Sequence, residues 1–393
     1  MLVGPVFTRE FNTTPRSWRL YFSRALYVAA LLGLVLMARL IVFGSQPVRG
    51  VGDLARFGTA IFALLAPVQL ALAVAFSALL TAAAVAQEKD RRTLDLLLMT
   101  RMTSSELVLG KLFASMLTVL VLIAAGIPML MLLTLLGGVS LEQVLRVTAV
   151  SVTAALAAGS LGSTLALWRE KSFQTLALTA LALMLWFMAG EALAAGIFGQ
   201  GWARLDAADW AAALSPRHAM RAAVQPLPPL IENLPFGLTP VGMFVAFSLA
   251  LSVILNGWAI ARIRAWNPSQ EARPVESDAE DDDATTDVHA APGRSRTVWD
   301  NPILWREVRT LAYGKKIIAV RLAYLAVFAI CAAALIGAMQ SDEGSRAAAI
   351  LPPAAIPLAP LLVLGLLLVN ALAVTSLTNE RDLKALDLLL VTD

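Results

Sequence analysis

Residues 87–102 read QEKDRRTLDLLLMTRM and residues 379–393 read NERDLKALDLLLVTD, each directly after a long apolar run. Glu88 matches Glu380, Asp90 matches Asp382, Leu94-Asp95 matches Leu386-Asp387, the leucines 96–98 match 388–390, and Thr100 matches Thr392. Chance likeness between two leucine-rich stretches would not retain the charged positions as well. A polar, charged segment therefore hangs from the same end of two apolar spans. The pattern implies a membrane chain built by tandem duplication, with a surface outside the bilayer suited to a partner.

Composition agrees with the membrane reading. Hydrophobic residues make up 58% of the chain and charged residues 15%, with a mean hydropathy of +0.73, well outside the range of ordinary soluble domains. A hydrocarbon core of about 30 Å takes roughly 20 apolar residues per helical span. Eight runs qualify, at 25–43, 58–86, 108–136, 144–167, 173–198, 241–261, 317–339 and 355–378. An even number puts both ends of the sequence on one side. With the N-terminus cytoplasmic, 23 of the 31 Lys and Arg fall on inside segments and 8 on outside ones, as the preference of basic loops for the cytoplasm requires. The pI near 9.2 then reflects membrane orientation, and no basic patch interleaved with aromatics suggests nucleic acid as a partner. The bilayer is the expected surrounding medium.

Cys331, the single cysteine, sits inside an apolar run, which leaves no disulfide framework. His218 and His289 stand too far apart in sequence for a metal-ligand motif. No metal site and no catalytic site is expected. Residues 1–24 hold Phe7, Phe11, Trp18, Tyr21 and Phe22 mixed with Arg9, Arg16, Arg19 and Arg24. That mixture suits an uncleaved amphipathic helix lying in the membrane interface better than a signal peptide.

Four segments follow: the interfacial lead-in helix 1–24, a first block 25–266 with six spans, a linker 267–297, and a second block 298–393 with two spans. The lead-in is also repeated, since Gly4-Pro5-Val6-Phe7-Thr8-Arg9-Glu10 resembles Asn301-Pro302-Ile303-Leu304-Trp305-Arg306-Glu307. The linker carries Glu271, Glu276, Asp278, Glu280, Asp281, Asp282, Asp283 and Asp287 with almost no large apolar residue. It cannot bury enough surface to order itself and reads as a disordered cytoplasmic spacer. The second block stops one residue past Thr392. By analogy with the first, four more spans are expected, so the sequence reads as a fragment of a longer chain.

Within the first copy, residues 87–106 form the segment expected to carry the mechanism. Thr93 can cap a short helix on which Leu94, Leu97 and Leu98 share one face. Glu88, Asp90 and Asp95, with Lys89, Arg91 and Arg92, surround that face with charge. Thr103-Ser104-Ser105-Glu106 is a capping-box pattern that starts the next helix. Span, short helix, turn and capped span predict a compact cytoplasmic knob with an apolar ridge. A plain interfacial loop resting its leucines on lipid is the alternative, and the retained charge pattern of the second copy argues against it.

This segment resembles the cytoplasmic loop of type-2 ABC exporter permeases. There a span ends in Glu and charged residues, a Thr-Leu-Glu-Leu-Leu-Leu-like run follows, and after a turn a Gly-Lys-Leu start opens the next span. This chain has Glu88, Asp90, Thr93-Leu94-Asp95-Leu96-Leu97-Leu98, Thr100, Thr103-Ser104 and Gly110-Lys111-Leu112. It departs at Arg92, where glycine is usual, and at Arg101, where proline is usual. The resemblance implies an all-α polytopic membrane protein: a six-span exporter-type permease half, followed by the first two spans of a second homologous half. It further implies that the loop is a coupling helix docking on a separate cytoplasmic ABC-type ATPase subunit, which binds the ATP. Carried over residue by residue, the coupling set is Glu88, Asp90, Leu94, Asp95 and Leu97, with Glu380, Asp382, Leu386, Asp387 and Leu389 as copies. The chain itself lacks a Gly-x-x-x-x-Gly-Lys-Ser/Thr loop, so it is expected to be no enzyme and to bind no cofactor. The implied role is the permease subunit of an exporter, multi-pass in a plasma membrane of the bacterial inner-membrane kind, with an unidentified substrate.

Few ionisable residues interrupt the spans. Glu191, about two-thirds along the fifth, is the candidate intramembrane polar site. Arg39 and Arg321 lie near span ends and are expected to snorkel. Asn256 and Asn370 read as interhelical hydrogen-bond partners, and the small residues 158–163 as a close-packing surface. Residues 199–240, with Trp202, Trp210 and a Leu214-Ser215-Pro216 turn, fall where the family places re-entrant or external helices. Two other classes fit a membrane repeat protein: an ion-coupled secondary transporter, which usually shows ionisable midplane sites, and a scaffold that anchors a cytoplasmic complex without transport.

Overall fold

Among the described residues six helices are long and apolar enough to cross a membrane, and they coincide with the first six apolar runs. The structure, a computed structural model, describes residues 4–13, 18–43, 50–91, 93–169, 172–194, 201–202, 205–227 and 239–267, together with the helical positions Leu322, Tyr324, Leu325, Ala326, Phe328, Ala329, Ala332 and Gly365. The chain divides into two compact units, Met1–Asn267 with Leu367–Asp393, and Pro268–Leu366. The acidic linker, nearly all of the last two apolar runs, and the second motif with Glu380, Asp382, Leu386, Asp387 and Leu389 lie outside the described residues.

In chain order the helices are α1 (Gly4–Thr13), α2 (Trp18–Phe43), α3 (Val51–Asp90), α4 (Thr93–Met99), α5 (Ser104–Leu135), α6 (Leu141–Trp168), α7 (Ser172–Ala194), α8 (Ala207–Leu214), α9 (Pro216–Val224) and α10 (Pro240–Trp266). Apart from a two-residue antiparallel pair, β1 (Gly201–Trp202) with β2 (Leu205–Asp206), the described chain is all-helical. The lead-in region is helical in two pieces. The helix of the first span already begins at Trp18, so the aromatic and basic residues 18–24 belong to its first turns. At 40 residues, α3 is about 60 Å long at 1.5 Å per residue, twice what a hydrocarbon core requires.

The centre of the bundle is α6, which packs on α3, α5, α7, α9 and α10. Its inward residues are small: Ala154, Ala155, Ala158, Gly159, Ser160, Gly162 and Ser163 are all buried. Small side chains let helix backbones approach where hydrocarbon gives no hydrophobic drive. A Cβ at Gly162 would collide with the Ala78 carbonyl of α3. Hydroxyls then bridge the close seam: Ser77 Oγ donates to the Ala155 carbonyl at 2.5 Å, and Thr81 Oγ1 to the Gly159 carbonyl at 3.0 Å. On the other flank Asn256 Nδ2 donates to Ser160 Oγ at 2.8 Å. The expected interhelical role of Asn256 and the close-packing role of 158–163 both hold.

The outer helices look different. Leu26, Leu32 and Leu36 of α2, Leu185 of α7, and Val253 and Ile254 of α10 are exposed, the surface a lipid-facing helix presents. On α1, the Phe7 ring meets Phe113 of α5 edge-on, 6.4 Å between centroids. Tandem glycines join α5 to α6, and Gly137 and Gly138 both take positive φ, 86° and 78°, which side chains with a Cβ resist.

Candidate docking site at the α3–α4–α5 turn

The polar end of α3 is wired to its surroundings before the short helix begins. The Glu88 carboxylate pairs with Lys111 Nζ two turns inside α5. Lys89 reaches across to the end of α6, where its ammonium donates to the Leu167 carbonyl at 2.5 Å and the Arg169 carbonyl at 2.9 Å. A cation on the free carbonyls of a helix C-terminus satisfies the orphan acceptors and opposes the negative end of the dipole. Thr93 is the first residue of α4 and not its cap. Its hydroxyl donates backward to the Glu88 carbonyl at 3.2 Å and so closes α3.

Beyond α4, Thr100 folds the chain over, its hydroxyl donating to the Leu97 carbonyl at 2.6 Å. The capping box read from the sequence is present: the Thr103 amide donates to Glu106 Oε2 at 3.0 Å, and the Glu106 amide donates to Thr103 Oγ1 at 3.3 Å. Arg264, in the last turn of α10, donates to Ser104 Oγ and to the Met102 carbonyl, both at 3.4 Å. The ends of α3, α5, α6 and α10 are thereby tied around one seven-residue helix.

The apolar face of that helix points inward. Leu94 is 2% exposed and sits among Ala82 and Val85 of α3, Leu107 and Val108 of α5, Ala166 and Leu167 of α6, and Ala259 and Ile263 of α10. Leu97 and Leu98 pack at the edge of the same cluster. The ridge that the helical spacing predicts exists, but its own bundle covers it. A helix this short has no independent stability, so the nearest apolar surface claims its best face. The face left open carries Leu96, 65% exposed, and Met99, 55% exposed, bordered by exposed Arg91, Thr93, Thr100 and Arg101. These two were not among the residues singled out from sequence. The signal was there: leucines at 94, 96, 97 and 98 with Met99 make the helix apolar on both sides, more than one inward face needs. Asp90 is exposed in the last turn of α3, and of Asp95 only its place in α4 is described.

At the opposite end of the bundle, Glu191 Oε1 lies 2.5 Å from Arg217 Nη1 and 3.2 Å from His218 Nε2, both on α9. Three further ties hold the α8–α9 pair. Trp186 Nε1 donates to the Leu214 carbonyl at 2.9 Å, Gln143 Nε2 to the Val224 carbonyl at 2.6 Å, and Arg146 to the Gln225 carbonyl at 2.8 Å. A Cβ at Gly190 would collide with Ser215, so α7 touches the α8–α9 corner with backbone. Ala219, Met220 and Ala223 are buried in the main core. Burial, with Arg217 nearby, holds the Arg221 guanidinium below its ordinary value, and burial beside Asp206 raises Asp209. In this setting Glu191 anchors a helix pair. Among the described residues no three His, Cys, Asp or Glu gather as metal ligands. No family model, no curated protein and no solved structure matches the chain.

Proposed function

We propose that this chain is the membrane-spanning permease subunit of an ABC exporter, driven by a separate ATPase that docks on α4 and on the homologous segment near residue 386. One observation carries the reading: a short helix at the tip of a membrane bundle is locked into four long helices and still offers an uncovered apolar pair, Leu96 and Met99. A push on α4 moves α3 through Thr93 and Glu88, α5 through Leu107 and Lys111, α6 through Lys89, and α10 through Arg264. Leu94 is buried in a cluster drawn from all four helices, and through that cluster and the closely packed α3 a displacement of the knob reaches the spans. That is what coupling ATP hydrolysis to alternating access demands.

Roles then divide within the segment. Glu88, Leu94 and Leu97 are struts, while Leu96 and Met99, with Arg91, Thr100 and Arg101 around them, meet the ATPase, and exposed Asp90 borders this contact. Phe113, where α1 rests, lies nine residues into α5, about 14 Å along the axis. With α1 in the membrane interface the knob stands clear of lipid and within reach of a cytoplasmic partner. In this reading the two motif copies belong to fused homologous halves, which together form the translocation path in a bacterial inner membrane with the motif end cytoplasmic.

The test is affinity capture of the full-length protein from mild detergent, wild type beside a Leu96→Asp/Met99→Asp variant and its counterpart at Leu388 and Val391. A P-loop ATPase retained by wild type and lost when both exposed pairs are charged supports the assignment. An ATPase retained equally by all variants, or by none, rejects it.

A further inference from the structure

Among the described residues, Gln69 of α3 is a buried carboxamide with neither end satisfied. It is 1% exposed, it lies in a helix long and apolar enough to cross a membrane, and its amide oxygen and amide nitrogen both lack a hydrogen-bond partner. Such an amide carries two donors and an oxygen with two lone pairs. Burying all of them unpaired is costly in any apolar medium, and inside a bilayer no bulk water stands by to relieve it. Asn256 and Gln143, also buried, give their amide nitrogens to Ser160 Oγ and to the Val224 carbonyl. Gln69 has no such outlet.

Beside Gln69 lie a small cavity and a hydroxyl. Leu72, Ala73, Val119 and Ile123 wall the cavity together with Gln69 and Tyr27 of α2. It leaves about 10 Å³ open to the centre of a water molecule, room for one water and not for a larger guest. Gly126 of α5 marks where the polar groups converge. A Cβ there would stand 3.2 Å from Gln69 Oε1 and 3.2 Å from the Tyr27 hydroxyl oxygen, so both border the space that the missing side chain leaves. The guest must accept from the amide nitrogen and donate to the amide oxygen. It must also be neutral, because no ionised side chain lines the cavity to offset a charge.

We propose that this cavity holds one structural water, bound by Gln69 Oε1, Gln69 Nε2 and the Tyr27 hydroxyl. About three hydrogen bonds are the usual complement of a buried water. The water joins α3 to α2, a helix whose Leu26, Leu32 and Leu36 are exposed, and so fastens an outer span to the core at a polar point. The inference does not depend on the transport reading.

The experiment is hydroxyl-radical footprinting of the full-length protein in mild detergent, with radicals made by a short X-ray pulse and oxidised residues located by mass spectrometry. Radicals form from water where it sits, so a side chain closed to solvent is oxidised only beside an internal water. Ile123 is 3% exposed and borders the cavity, and it should be oxidised in wild type. Leu130, as deeply buried on the same helix but not part of the cavity wall, should not be. Gln69→Met, close in shape and without donor or acceptor, should lose the Ile123 label. Tyr27→Phe removes one partner and should reduce the label, and it decides the matter if the Met variant fails to fold. Absence of the Ile123 label in wild type overturns the proposal. So does a label that either folded variant keeps in full, or one of equal strength at Leu130.

Discussion

Two ends of one bundle carry short helices, and they are finished differently. At the far end, α8 and α9 bury Ala219, Met220 and Ala223 and are held by Glu191, Trp186, Gln143 and Arg146; between residues 207 and 224 no large apolar side chain is exposed. At the motif end, α4 buries Leu94 as completely but leaves Leu96 and Met99 in the open. Both ends are firmly tied, so the difference is not one of order. It lies in whether the apolar surface is used up. The far-end helices α8 and α9 use theirs up, although Leu227, Leu135 and Leu141 near them stay exposed, while α4 itself has surface left for something else to cover.

The largest effect expected from breaking this contrast is at Leu94. Leu94→Asp puts a charge where four helices meet and should cost about 4 kcal/mol, the scale of a buried unpaired charge added to a lost leucine. Unfolding of the purified protein by titration from mild detergent into SDS measures it. Hydrogen exchange should show protection lost first around residues 104–112. A cost under about 1 kcal/mol would mean that α4 is loosely held and cannot transmit force.

Next in size is Lys89→Met. It strips two carbonyls at the end of α6 of a charged donor and should cost about 2 kcal/mol by the same titration. The far-end counterpart is smaller. Glu191→Gln weakens the ties to Arg217 and His218, but Glu191 is 44% exposed, so solvent screening limits the loss to about 1 kcal/mol. The readout is faster exchange in α9 with α4 unchanged. Loss of ATPase capture in Glu191→Gln would merge the two ends functionally and remove the contrast.

How far the sequence foretold this arrangement depended on the range of each signal. The six spans were legible because apolar length is read within one helix, and so was the Thr103–Glu106 box, whose two members lie three residues apart. Asn256 was legible as a polar residue in a span that must find a neighbour. The inward face of α4 was not, because Ala166 and Ile263 that cover Leu94 lie 72 and 169 positions away, and periodicity gives a face without saying what it meets. Lys89 read as one charge among several, since its partners are backbone carbonyls of α6, which carry no sequence signal. Glu191 was visible as an oddity, and only the packing of α9 gave it Arg217 and His218.

The smallest expected effect on stability is also the sharpest on function. Leu96→Asp alters a side chain that touches little of its own bundle, so the unfolding free energy should stay within about 0.5 kcal/mol of wild type. The same change puts a charge in the middle of the uncovered apolar pair, where a docking partner would have to desolvate it. Stability and capture of an ATPase should therefore separate: Leu94→Asp loses both, and Leu96→Asp loses capture alone. If Leu96→Asp instead destabilises as much as Leu94→Asp, some other part of the chain covers that face. The motif end would then be as self-satisfied as the far end, and the reason to look for a partner there would be gone.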